Sequence, residues 1–222
     1  MISQLPRCVW TGAWLLAFIG GMVNVVGLLG FEHQAVTHLT GTTSMLSAAL
    51  AALDGPGALH FAAVLGSFVA GTVLSGFIIQ DSTLKLGRRY GVALLLESIL
   101  FCIAVPLLNS DNIIGIYAAS CACGLQNAMM STYSGAVIRT THISGMFTDL
   151  GIFLGHTLRG LPVDSRRLQL CFLVISGFLV GGIVGAIAFH RLIYSALFIP
   201  AGLTAITSIA YGTYLLRNRR NA

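Results

Sequence analysis

The sequence predicts an all-α integral membrane protein with six net transmembrane crossings, arranged as two inverted-topology repeats that each carry a broken or re-entrant short helix. Three observations lead there. Of the 222 residues, 56% are hydrophobic and only 9% charged, with a mean hydropathy of +0.87, whereas soluble domains carry about a quarter charged residues. Val36-Thr37-His38-Leu39-Thr40-Gly41 returns about a hundred residues later as Thr140-Thr141-His142-Ile143-Ser144-Gly145, and self-similarity at a fixed offset marks a repeat. The basic residues fall on one side of the membrane only if each repeat makes an odd number of crossings.

The elements follow in order. Residues 10–29 are apolar over about 20 residues, enough for a hydrocarbon core of roughly 30 Å. Arg7 ahead of this run imitates a signal peptide, but no convincing small-residue cleavage site follows, so a retained first span is expected. Residues 40–53 offer about 14 residues, roughly 20 Å of helix, too short to cross comfortably. Asp54-Gly55-Pro56-Gly57 has turn chemistry, and 60–80 is a full-length span. A polar loop over 81–90 holds Lys85, Arg88 and Arg89; the span 91–108 carries one carboxyl, Glu97; and 109–112 is a loop. The second repeat runs through 113–134, a short piece at 143–158, a basic loop at 159–167, and spans at 168–190 and 192–216. The first repeat is thus 1–108 and the second 109–222.

Charge decides between eight crossings and six. Eight full crossings would put the Lys85 and Arg166 loops on opposite faces, against the cytoplasmic bias of Lys and Arg. If each broken pair, 10–53 and 113–158, makes one net crossing, ten of the twelve Lys and Arg are cytoplasmic, with Arg191 outside and Arg139 within the second interruption. Both termini are then cytoplasmic. Three crossings per repeat place the halves in opposite orientations, the plan of many secondary transporters. The same bias accounts for the net charge of +5 without nucleic acid as a partner.

Irregular backbone at membrane depth survives only inside protein or against a wet cavity, so the two interruptions are expected to face each other. Thr37, Thr40 and Thr42, and Thr140, Thr141 and Ser144, have N-cap chemistry for the short helices that follow. Two such helix N-termini meeting near the midplane suit an anion or carboxylate. Gly41 and Gly145 would let backbone or ligand come close. The candidate binding residues are therefore Asn24, Thr37, His38, Thr40, Gly41, Asn127, Arg139, Thr141, His142, Ser144 and Gly145.

Each assignment has a plainer competitor. Arg139 fits an anionic substrate and Asp149 fits proton coupling, as does Glu97; alternatively Arg139 and Asp149 simply pair. His38 and His142 can shuttle protons or bond backbone at a helix start. Asn24 and Asn127 can meet substrate or stitch helices. Gly177, Gly181 and Gly185, and Gly151 and Gly155, read as helix-packing stripes. The five cysteines show no CxxC pair, no set of residues has metal-ligand spacing, and no cofactor is implied. No hydrolase elbow, phosphate loop or Rossmann turn appears, so an enzyme is not expected.

The N…THLTGTTS copy, the GLQNAMMS run and the TTHISG copy with its glycine-rich short helix resemble the YoaK-like family of bacterial six-span inner-membrane proteins, a family of undefined function. The match runs from about Trp10 to Leu216, with Thr42 standing where the family often has asparagine. The resemblance implies a bacterial cytoplasmic-membrane location and supports six spans, but supplies no substrate. The expected function is a secondary transporter or channel-like carrier of a small anionic or polar solute, with Asp149 and Glu97 the candidates for proton coupling. A non-transporting scaffold or assembly subunit is the alternative, and a lipid-directed membrane enzyme is a distant third. The bilayer and the solute are the expected partners, with homo-oligomerisation left open.

Overall fold

The computed structural model describes residues 7–30, 33, 35–79, 88–134 and 139–220. Among them the elements are helices: α1 (Arg7–Leu29), α2 (Leu39–Ala51), α3 (Gly55–Ile78), α4 (Arg88–Asn109), α5 (Ile114–Ser134), α6 (Ile143–Leu158), α7 (Ser165–Leu192), a 3₁₀ turn (Ile193–Leu197) and α8 (Phe198–Arg220). Of the polar loop expected over 81–90, residues 81–87 lie outside the described residues, and Arg88, Arg89 and Tyr90 instead begin α4.

Local chemistry moves three boundaries. Asp54-Gly55-Pro56-Gly57 is a helix start rather than a separate turn, because the Asp54 side chain accepts from Gly57 N–H at 3.0 Å and Pro56 occupies the first turn. Asp164 likewise accepts from Arg166 N–H (3.0 Å) and Arg167 N–H (3.3 Å), so these arginines stand in the first turn of α7 and not in a loop. The last span begins later than expected, since the 3₁₀ turn, with Ile193 at φ 49°, separates α7 from α8.

Among the described residues four stretches are long and apolar enough to cross a membrane: Trp10–Leu29, Gly55–Ile78, Arg89–Asn109 and Ser165–Tyr214, the last holding α7, the 3₁₀ turn and most of α8. Their outward residues, among them Val73, Phe77, Ile103, Phe172, Leu179, Ile183 and Ile209, are exposed. An apolar face of that extent fits lipid better than water. Helix α5 is not among the four stretches, yet 13 of its 21 residues are buried, so Ser120, Gln126 and Ser134 meet protein.

Packing fixes direction. Gly177, Gly181 and Gly185 of α7 meet the backbone of Trp14, Phe18 and Met22 in that order, so α1 and α7 run parallel and nearly touch. On the other flank His60 meets Tyr117, Ser120 Oγ donates to Val64 O (3.0 Å) and Gly124 lies on the Phe68 carbonyl, so α3 and α5 are also parallel. Ser98 Oγ donates to Ala201 O and Ser208 Oγ to Gly91 O, both at 2.7 Å, making α4 and α8 antiparallel. Tyr90 stacks edge-on with Tyr133 while Leu108 covers Gly115, making α4 and α5 antiparallel. The C-terminal ends of α1, α4 and α7 meet at the 3₁₀ turn, where Gly30 faces Tyr194 and Asn109 Nδ2 donates to Ser195 Oγ (3.2 Å). The 13 residues of α2 rest mainly on α3 and the 16 of α6 on α7.

Candidate functional site

Both short helices begin inside the bundle because a side chain on the preceding long helix catches the returning chain. In the first half, Asn24 Oδ1 accepts from Thr37 N–H (3.2 Å) and from the Thr37 hydroxyl (2.6 Å). In the second, Gln126 Nε2 donates to Leu16 O (2.8 Å) and to Thr140 Oγ1 (3.2 Å), tying the interruption to α5 and α5 to α1. The held threonine thus differs between the halves: Asn24 holds Thr37, directly before the histidine, whereas Gln126, the residue before Asn127, holds Thr140, which stands in the place of Val36. That leaves Asn127 Oδ1 buried without a hydrogen-bond partner.

The two interruptions border one cavity of about 350 Å³. Asn24, Thr37, His38 and Thr40 line it from the first half, and Asn127, Arg139, Thr141, His142 and Ser144 from the second. Gly41 and Gly145, expected beside them, are not on the wall. They lie under the histidines: a methyl on Gly41 would press on the His38 ring and one on Gly145 on the His142 ring. The glycine three residues on is the space that lets each histidine fold across the first helical turn.

Neither short helix is capped as the sequence suggests. His38 and His142 occupy the N-cap positions and make no capping hydrogen bond, while the Thr42 hydroxyl turns back to His38 O (3.4 Å). No N-cap side chain therefore takes up the first-turn N–H groups, which are left for the cavity side. Among the described lining residues Arg139 is the one Lys or Arg and there is no carboxylate. Two positive helix ends and a guanidinium on one cavity favour an anion.

The carboxyls stand elsewhere. Asp149 Oδ2 pairs with Arg167 Nη2 at 3.6 Å across the α6–α7 seam, so the Arg139–Asp149 pair considered from sequence does not form, and Arg139 has no ion-pair partner among the described residues. Glu97 is fully buried on α4, with neither carboxyl oxygen hydrogen-bonded. It does not line the cavity.

Leu39 and Ile143, at the starts of the short helices, also line the cavity, and its wall is completed by two further residues outside the sequence candidates, Phe68 and Phe178. Each is followed three residues later by a packing glycine, Gly71 or Gly181, and its carbonyl is met by a glycine of the parallel helix, Gly124 or Gly21. A Phe-x-x-Gly signature shared by α3 and α7 was the available signal. Among the described residues no three of His, Cys, Asp and Glu come together. A second void, of about 10 Å³, is walled by residues such as Val26, Leu108 and Leu197 and has room for little more than one water.

Comparison with protein families matches residues 12–210 to the family described as "Protein of unknown function (DUF1275)", the designation of the YoaK-like proteins. No curated protein and no solved structure matches the chain significantly.

Proposed function

We propose, for a chain that belongs to the DUF1275 family, that it is a multi-pass protein of the bacterial cytoplasmic membrane that carries a small anionic or polar solute, as a secondary transporter or channel-like carrier. The observation behind this is the cavity of about 350 Å³ on which two helix N-termini without a side-chain cap and Arg139 converge, with no carboxylate among the described residues of its wall. Such a site offers fixed positive potential from backbone N–H groups and a guanidinium together.

Six net crossings agree with the helix directions. Were α2 and α6 both full crossings, α4 and α8 would run parallel; they are antiparallel. With α2 and α6 re-entrant, α1, α4 and α7 cross one way and α3, α5 and α8 return, which also gives the parallel pairs α1–α7 and α3–α5. The matched contacts of Gly21 with Phe178 and Gly124 with Phe68 support an inverted repeat. The end carrying Arg159, Arg166 and Arg167 is then cytoplasmic. For proton coupling, Glu97 is the stronger candidate, since Asp149 is occupied by Arg167.

The scaffold alternative calls for Arg139 paired with Asp149 and for no cavity reaching either face; Asp149 pairs with Arg167 instead, which favours the carrier. The test is thermal stability of the purified protein against a panel of small anions, beside Arg139→Ala. A ligand near a hundredfold above its Kd adds about 2.7 kcal/mol. Stabilisation lost in Arg139→Ala supports the carrier; no response to any anion overturns it.

A further inference from the structure

Resting on the anion-carrier reading of the same cavity, we infer that its ligand is an organic anion, with an apolar body seated against Phe68 and Phe178 and a carboxylate or similar head at Arg139. Volume argues first. About 350 Å³ is far more than a desolvated halide or nitrate fills, since even a water takes only about 30 Å³. A small anion would leave most of the space to water, which weakens the field of the helix ends on it.

The walls argue second. Phe68 and Phe178 come from opposite halves, on α3 and α7, and their backbones are pinned: Gly124 lies on one carbonyl and Gly21 on the other. Leu39 and Ile143, at the starts of the two short helices, add aliphatic surface to the same cavity. Aromatic rings on a rigid backbone serve a hydrated inorganic ion poorly. They suit a carbon frame, whose burial is favourable per unit area.

The roles therefore divide. Arg139 and the helix N-termini select charge, while Phe68 and Phe178 select size and apolarity.

A homologous series read by thermal stabilisation or calorimetry tests this: chloride, nitrate and phosphate against acetate, butyrate, hexanoate and phenylacetate, on the full chain in detergent. Affinity is expected to rise about fourfold per methylene until the cavity is full, with inorganic anions weakest. In Phe178→Ala and Phe68→Ala the gradient should flatten while acetate binding changes little. Arg139→Ala should weaken every member alike. If no anion of either kind binds, the carrier reading itself fails. If inorganic and organic anions bind equally, or affinity is flat along the wild-type series, the organic-anion inference fails and the carrier reading stands, an outcome that needs no variant to fold.

Discussion

Asn24 holds Thr37 with a single oxygen that accepts both the backbone N–H and the hydroxyl, whereas Asn127, its counterpart in the second half, has an Oδ1 with no partner. The stability of the two halves should differ accordingly. Asn24→Leu loses two hydrogen bonds and strands Thr37, so it is expected to cost about 2–3 kcal/mol, while Asn127→Leu costs under about 1 kcal/mol. Denaturation in detergent measures both. Equal losses would show that the asymmetry carries no energy.

The glycines divide into two kinds. A methyl on Gly181 or Gly71 falls on a backbone carbonyl, that of Phe18 or Cys121, which cannot turn aside without parting the helices. Gly181→Ala and Gly71→Ala should each destabilise by about 1–3 kcal/mol. Gly41→Ala meets only the His38 ring, a side chain with space to swing, and should cost less than about 1 kcal/mol while impairing ligand-induced stabilisation. Matching losses at Gly41 and Gly181 would contradict this division.

Glu97 offers the next test. Since neither of its oxygens has a hydrogen bond to lose, Glu97→Gln, close in shape, is expected to stay within about 1.5 kcal/mol of wild type, and Glu97→Ala to lose about 2 kcal/mol or more through the space it opens. If Glu97 carries the coupling proton, Glu97→Gln also removes the pH dependence of uptake in proteoliposomes. Retained pH dependence would move coupling to another group.

Asp149 and Arg167 form a part-exposed pair, 30% and 52% accessible. A double-mutant cycle with Asp149→Asn and Arg167→Gln should return a coupling of about 1 kcal/mol or less, with ligand stabilisation intact. Abolished ligand response in Asp149→Asn would instead return Asp149 to the transport machinery.

Topology can be read by impermeant thiol labelling of intact cells, with the five native cysteines replaced. Six net crossings expect Asp54→Cys and Asp111→Cys to label from outside and Asp164→Cys only after lysis. Eight crossings reverse the first two.

Much was legible without coordinates because lipid is an unforgiving solvent. The lengths of α2 and α6, the repeat of Thr-His-x-Thr/Ser-Gly and the placement of Asn24, Asn127 and Arg139 all follow from which segments can cross a bilayer and where irregular backbone can hide. These are properties of single segments and their composition, so the sequence determined them alone. It predicted the convergence of His38 and His142, and they do share a cavity.

What needed the tertiary structure is whatever depends on register between helices distant in sequence. Phe68 and Phe178 reach the cavity only because Gly124 and Gly21 set the level at which α3 meets α5 and α7 meets α1. Asp149 chooses Arg167 over Arg139 because α6 lies along α7. Gly41 and Gly145 serve histidine rings rather than a ligand, which no spacing announces. Composition limits which residues are buried, but only packed backbones decide which buried groups meet, because contacts closer than a side chain's width depend on the relative shift of two helices along their axes.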